Sequence, residues 1–83
     1  MAEVTVYTRP GCPFCTMLRS GLQKEGLPFH EVDIWQDPAA AEAVRSIASG
    51  NETVPTVAIG DWTAVNPAVS DVIAAAAEQG AVN

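Results

Sequence analysis

The chain opens with alternating apolar and polar positions and then changes to a helical spacing. Over residues 3–8 the residues are largely β-branched or aromatic, which predicts a first strand. From about residue 13 to residue 25, apolar side chains recur every three or four positions until Gly26, which predicts a first helix with Cys12 at its start. The positions that carry these two periods are Val4, Val6, Thr8, Phe14, Leu18 and Leu22.

A second strand and a second helix follow. Residues 29–33 predict the strand. Asp37 and Pro38 then supply an N-cap and a proline for the first helical position, and an apolar stripe runs from there to Gly50. That stripe consists of Ala40, Ala41, Val44, Ile47 and Ala48.

The last part of the chain predicts a hairpin and a closing helix. Two short strands, Thr56–Ile59 and Trp62–Val65, flank a two-residue connection of glycine and aspartate, which has the length and chemistry of a tight turn. Asn66-Pro67 repeats the cap-and-proline signal, so a third helix is predicted to open there and to end near Gly80.

The element order β-α-β-α-β-β-α predicts an α/β fold with a four-stranded mixed sheet. A strand, a crossover helix and a second strand at this spacing give a parallel pair with a right-handed connection, and the later hairpin adds antiparallel neighbours. The chain has 83 residues, so we expect one domain over residues 1–83.

Composition and charge narrow the classes of partner. Hydrophobic residues make up 48% of the chain and charged residues 17%, as in a compact globular domain. Ten acidic residues against four basic ones give a net charge of −6, which disfavours nucleic acids and anionic membranes as partners. The start of the chain lacks the basic residues and apolar stretch of a secretory signal, so we expect a cytoplasmic protein.

Both cysteines of the chain lie in the stretch Arg9-Pro10-Gly11-Cys12-Pro13-Phe14-Cys15. A structural disulfide is disfavoured because the cytoplasm is reducing and the closed loop is too short to add much stability. A closed zinc site needs four ligands, and the only histidine is His30, so a dimer would be required. We assign His30 no role. The favoured interpretation is a redox-active dithiol, because a Cys-x-x-Cys pair between a strand and a helix is typical of that chemistry.

The helix start gives the two thiols different properties. Unpaired backbone N–H groups and the positive end of the helix dipole favour the thiolate of Cys12, so we expect its pKa to lie well below that of an ordinary thiol. Cys15, one turn later, is expected to stay protonated until it attacks. Arg9 and Arg19 bracket the pair with no acid between Glu3 and Glu25, which predicts a locally positive neighbourhood.

Arg9, Phe14 and the two tryptophans are further side chains with a predicted role. We expect Arg9 to hold the thiolate and an acidic group of the substrate electrostatically. Phe14 is either a core residue or, as we favour, an apolar shoulder beside the thiols. Trp35 and Trp62 are predicted to be packing residues, with substrate contact at Trp62 as the less favoured alternative.

The segment Thr53-Val54-Pro55-Thr56 precedes the third strand, where an X-Pro bond is either cis or trans. A cis bond at Pro55 would leave the backbone of Val54 free to pair, strand-like, with an extended ligand. A trans proline at the first residue of a strand is equally allowed by local rules.

The combination of the Cys-Pro-Phe-Cys motif, the later Thr-Val-Pro segment, the hairpin and the Asn-Pro helix start resembles the glutaredoxins along almost the whole chain. Among them it is most similar to the actinobacterial mycoredoxins. The resemblance implies a thioredoxin fold, a cis Pro55, Cys12 as the nucleophile and Cys15 as a resolving or modulating thiol. It also implies that Val54 binds the peptide-like part of a small thiol.

One segment departs from the family pattern and bears on the co-substrate. Typical glutaredoxins have a glycine pair after the fourth strand, followed by an acidic pair that holds glutathione, whereas this chain reads Asn66-Pro67-Ala68-Val69-Ser70-Asp71. This change disfavours glutathione, and the resemblance to the mycoredoxins implies mycothiol as the co-substrate, with glutathione as the alternative. Ser70 and Asp71 are predicted either to contact the ligand or to cap the helix.

The resemblance leads to an enzymatic function. We expect a monomeric oxidoreductase that reduces mixed disulfides between proteins and a small thiol, with no tightly bound cofactor. Its partners would be the small thiol and oxidised or thiol-adducted proteins. Two alternatives remain at this point: a dithiol reductant supplied by a thioredoxin-type reductase, and a module that binds an iron–sulfur cluster between two chains.

Overall fold

The computed structural model describes residues 3–81 and contains the seven elements in the predicted order. None of the helices in this range is long and apolar enough to cross a membrane. The elements are β1 (Val4–Thr8), α1 (Pro13–Lys24), β2 (His30–Asp33), α2 (Pro38–Ile47), β3 (Thr56–Ile59), β4 (Trp62–Val65) and α3 (Val69–Glu78).

The sheet has the strand order β2-β1-β3-β4, and the prediction of a mixed four-stranded sheet is confirmed. β1 pairs in parallel with β2 and antiparallel with β3, and β3 pairs antiparallel with β4. The C-terminal ends of β1, β2 and β4 and the start of β3 therefore lie at the same end of the sheet. At this end the cysteines, Pro55 and the loop before α3 come together, although they are far apart in the sequence.

Each face of the sheet carries its own core. α1 and α3 cover one face, whose fully buried residues include Val6, Leu22 and Val57. The predicted inward face of β1 is confirmed, because Val4, Val6 and Thr8 are all buried. The core on the α2 side contains Cys12, Cys15, Ile34, Ala40, Ala41, Val44 and Val54.

α1 and α3 meet at a glycine. A methyl group added at Gly21 of α1 would collide with the side chain of Val69, the first residue of α3. Because a larger side chain would push the two helices apart, Gly21 allows the start of α3 to lie close against α1.

The helices α1 and α2 begin where the sequence predicted, and α3 begins later than predicted. Asp37 caps α2 as predicted, because its Oδ1 accepts the N–H groups of Ala39 and Ala40 at 3.1 and 3.3 Å. The predicted cap of α3 at Asn66-Pro67 is wrong, since the helix begins at Val69 and its N-cap is Ala68.

The physical reason lies in the conformation of Asn66. It adopts a left-handed backbone (φ 49°) and donates its N–H to the Pro55 carbonyl at 2.7 Å, so it belongs to the turn out of β4. The start of α3 is instead supported by Asp71, whose Oδ2 accepts the N–H of Ala68 at 3.2 Å.

Candidate active site

The two cysteines lie at the start of α1 and are joined by a disulfide, with their Cα atoms 5.3 Å apart. Cys12 is the N-cap of the helix, and its Sγ accepts the backbone N–H of Cys15 at 3.2 Å. Pro13 occupies the first helical position, where the missing N–H leaves no hydrogen bond unmade. Cys12 is 8% exposed and Cys15 only 1%, so Cys12 is the more accessible of the two residues.

The loop before β3 lies beside Cys12. The Val54–Pro55 bond is cis, which confirms what the resemblance implied and local rules left open. Cys12 Sγ lies 3.8 Å from the carbonyl oxygen of Val54. Within residues 3–81 neither the N–H nor the carbonyl of Val54 has a backbone hydrogen-bond partner. An extended ligand next to Cys12 can therefore pair with both groups.

An apolar shoulder stands on the α3 side of the cysteines. Phe14 is 60% exposed and Met17 is 67% exposed, so the alternative that Phe14 is a core residue is wrong. Both side chains line a cleft of about 190 Å³ against Pro67 and Val69. Met17 was predicted as an apolar helix position but not as a site residue, although its place one turn after Phe14 puts both on the same helix face.

Arg9 and Trp35 form a pair on the β2 side. The Arg9 guanidinium lies 6.0 Å from the centre of the Trp35 ring, within reach of a cation–π interaction. Trp35 is 64% exposed, so the prediction that it is a packing residue is wrong. The buried position of this segment is taken by Ile34, and the chain turns after it, with the Trp35 N–H donating to Asp33 Oδ1 at 2.9 Å.

The positive neighbourhood predicted from Arg9 and Arg19 is only half present. Arg19 is paired with Glu31 of β2 at 2.6 Å, so its charge is balanced by an acid that is distant in sequence. Thr8 Oγ1 donates to the same Glu31 oxygen at 2.9 Å. Burial by itself would raise the pKa of Glu31, but the hydrogen bonds from Arg19 and Thr8 and the charge of Arg19 outweigh it and lower the pKa.

The predicted ligand residues of α3 point to different surfaces. Ser70 lines a depression together with Glu25 and Ile73, and this depression contains neither cysteine. Asp71 supports the helix start through Ala68, as the capping interpretation requires, and also lines a second cavity shared with Trp62. Trp62 packs partly buried against the α1/α3 core, in agreement with the packing interpretation.

Potential metal ligands are dispersed. Within residues 3–81, no three histidine, cysteine, aspartate or glutamate side chains are grouped in a way that could hold an ion. His30 Nε2 lies 3.0 Å from Glu3 Oε1, and both side chains are largely exposed.

Comparison with known proteins decides the family. Residues 4–62 match the glutaredoxin family model. The chain belongs to the glutaredoxin family. It is 43% identical over 75 residues to mycoredoxin 1 of Corynebacterium glutamicum, a match that covers 89% of this chain and 92% of that protein.

Solved structures agree with this family assignment. The chain is similar to the glutaredoxin of Archaeoglobus fulgidus, with a TM-score of 0.71, 31% identity and coverage of 87% of this chain and 83% of that one. It is also similar to the glutaredoxin-like NrdH-redoxin of Escherichia coli, described as having a thioredoxin-like activity profile, with a TM-score of 0.67, 32% identity and coverage of 76% and 80%. The fold class is confirmed, and the chain is a glutaredoxin-like thiol–disulfide oxidoreductase.

Proposed function

We propose that the chain, acting as one monomeric glutaredoxin-like domain of the cytoplasm, reduces mixed disulfides between proteins and mycothiol. Cys12 is the nucleophile in this reaction. The observation that carries the proposal is the setting of its sulfur, which accepts the Cys15 N–H at the start of α1 and lies beside the Val54 carbonyl. The similarity to mycoredoxin 1 supports mycothiol as the small thiol.

The helix start favours the thiolate once the disulfide is reduced. The N–H of Cys15 at 3.2 Å and the positive end of α1 both stabilise negative charge on Cys12. We therefore expect the pKa of reduced Cys12 to lie below that of an ordinary thiol. A lowered pKa increases the thiolate fraction and makes Cys12 a better leaving group, so both attack and turnover benefit.

The reaction consists of two exchanges. The Cys12 thiolate attacks the mycothiol sulfur of the mixed disulfide; a new S–S bond forms, the old one breaks, and the protein thiolate leaves and takes a proton from water. A second mycothiol thiolate then attacks the adduct on Cys12, which gives mycothiol disulfide and the free Cys12 thiolate. Alternatively, Cys15 attacks Cys12, releasing mycothiol and forming the Cys12–Cys15 disulfide.

The residues around Cys12 bind the substrate on two sides. The N–H and carbonyl of Val54, which have no backbone partner within residues 3–81 and are held by Pro55, pair with the peptide-like part of the thiol. Phe14 provides an exposed apolar surface on the other side. Arg9 supplies the positive charge near the site, since Arg19 is neutralised by Glu31.

The segment before α3 supports mycothiol over glutathione. A glycine pair is replaced by Asn66-Pro67, and the Asn66 N–H is already used by the Pro55 carbonyl at 2.7 Å. Asp71 remains available to the ligand through its second carboxylate oxygen, whereas Ser70 faces a different depression and is not part of this contact.

The test is the rate of release of mycothiol from a mycothiolated protein. Cys12→Ser should lower this rate at least about a thousandfold, because the nucleophile is lost. Cys15→Ser should remain within about tenfold of the wild type, since the small thiol clears the adduct without it. Full activity of Cys12→Ser would refute the assignment of the nucleophile. Faster turnover of a glutathione adduct than of the mycothiol adduct would refute the co-substrate.

A second candidate is a protein-to-protein dithiol reductant, favoured by the similarity to NrdH-redoxin. In that case Cys15→Ser would be as inactive as Cys12→Ser, and a thioredoxin-type reductase, rather than mycothiol, would support turnover. Assaying the same two variants with each electron source separates the two functions.

A further inference from the structure

A second cavity lies between β4 and α3, with a volume of about 430 Å³, and shares lining residues with the cleft beside Phe14. We call it the β4–α3 trough. Its sides are formed by Trp62 and Ala64 of β4 and by Asp71, Ala74 and Glu78 of α3. The volume falls within the range of about 300 to 1,000 Å³ typical of small-molecule sites.

The pattern of both elements explains the trough. Trp62 and Ala64 are two positions apart on a strand, so they project from the same face. Asp71, Ala74 and Glu78 follow one side of a helix at intervals of three and four. Alanines in the middle leave space between the strand and the helix, while the tryptophan and the two carboxylates stand around it.

The trough continues toward the cysteines. Asn66 and Pro67 line both the trough and the cleft beside Phe14, so the two depressions meet at this pair. Asn66 is also bonded to Pro55, the neighbour of Val54 at the thiol site. A ligand whose sulfur lies at Cys12 can therefore extend past Asn66 and Pro67 into the trough.

We propose that the β4–α3 trough binds the hydroxyl-rich, uncharged ring portion of the small thiol and so selects a sugar-bearing thiol. This inference rests on the proposed function and names the part of the substrate that the second cavity recognises. Carboxylates accept hydrogen bonds from hydroxyl groups, and the indole of Trp62, which lines the trough, supplies an apolar surface for the C–H groups of a ring.

The spacing of the carboxylates distinguishes this ligand from a cation. Asp71 and Glu78 are seven residues apart on α3, which corresponds to about 10 Å along the helix. Two groups at that distance do not converge on one ammonium ion, but they reach hydroxyls on two linked rings. The same charges repel an anionic ligand such as glutathione, which carries two carboxylates.

The first test compares two substrates that differ only in the rings. Reduction of a protein that carries mycothiol in a mixed disulfide is measured beside reduction of the same protein carrying N-acetylcysteine methylamide, which keeps the neutral amide and lacks the rings. The wild type should prefer the mycothiol adduct in kcat/KM, and Ala74→Leu should reduce this preference about tenfold by filling the trough. Ala74 is exposed and leucine is a good helix former, so the variant should fold.

The matched control is Ala77→Leu, the same change at an exposed α3 position outside the trough, which should keep the wild-type preference. Equal kcat/KM for both adducts in the wild type would overturn the trough proposal while leaving the thiol exchange at Cys12 intact. No Cys12-dependent reduction of either adduct would instead refute the proposed function itself.

The second test needs no catalysis. Uncharged N-acetylglucosaminyl-inositol, a thiol-free probe, is titrated into the oxidised protein while the two indole N–H signals are followed by NMR. The signal of Trp62 should shift and saturate, and that of Trp35, which lies outside the trough, should not. Equal shifts at both tryptophans, no shift at Trp62, or an equally strong Trp62 shift with tetramethylammonium would overturn the proposal.

Discussion

The face of the sheet under α1 and α3 and the face under α2 differ in what fills them. The first core is built largely from Val, Leu and Ile, and several of these side chains are fully buried. The second is smaller and contains two alanines and both cysteines. We infer that the α1/α3 core supplies most of the stability, while the α2 core holds the sulfur atoms and leaves Cys12 more exposed than Cys15.

The largest expected effect comes from a matched pair of truncations, Val72→Ala in α3 and Val44→Ala in α2. Both valines are fully buried on a helix, so each change should lower the free energy of unfolding by about 2 to 3 kcal/mol. Only Val44 shares a core with the cysteines. Urea unfolding measures the loss of stability in each variant.

The comparison is completed by the rate at which iodoacetamide alkylates Cys15 in the reduced proteins. Val44→Ala should increase this rate at least about threefold over Val72→Ala, because a cavity in the α2 core eases local opening around the sulfur. Equal rates in the two variants would show that the cores are not distinct in their effect on the thiols.

A smaller effect is expected where α1 meets α3. Gly21→Ala would ordinarily stabilise a helix by about 1 kcal/mol. Here the new methyl group collides with Val69, so we expect a net destabilisation of about 1 kcal/mol, measured by thermal unfolding. In a Val69→Ala background the same change should be stabilising, and a loss that persisted there would contradict the steric explanation.

The smallest effect is expected for the partly exposed contacts of Glu31 with Arg19 and Thr8. Glu31→Gln should cost about 1 kcal/mol or less at neutral pH, because it weakens the partly exposed contacts with Arg19 and Thr8. The pKa of Glu31 in the folded protein is below its ordinary value of 4.5. The stabilisation is therefore complete above about pH 4.5 and is lost as the pH falls through the lower folded value.

Urea unfolding of the wild type and Glu31→Gln between neutral and acidic pH should show this difference shrinking below about pH 4.5. The control is Glu52→Gln, which weakens the more exposed pair with Arg45 and should cost less than about 0.5 kcal/mol. If the difference in the free energy of unfolding between the wild type and Glu31→Gln grew on acidification, this would contradict the direction of the pKa shift.

Most of the fold could be predicted from the sequence because its signals are local. The bounds of β3 and β4 agree with the prediction, and the Asp37 cap of α2 is confirmed. Trp35 was misassigned because a strand-end tryptophan has no periodicity that distinguishes burial from exposure. The start of α3 was misassigned because the Asn66 N–H bonds to Pro55, eleven positions away, rather than opening the helix.

The candidate site was predictable only in part, because local sequence signals do not show which distant residues come into contact. The order of the elements and the dithiol at the start of α1 are determined by the sequence itself, since periodicity, caps and a Cys-x-x-Cys motif act over a few residues. The tertiary structure alone decided that Cys12 lies beside Val54, 42 positions away, and that Arg19 is neutralised by Glu31. It also decided that a trough opens between β4 and α3, because such a space depends on how separate elements pack.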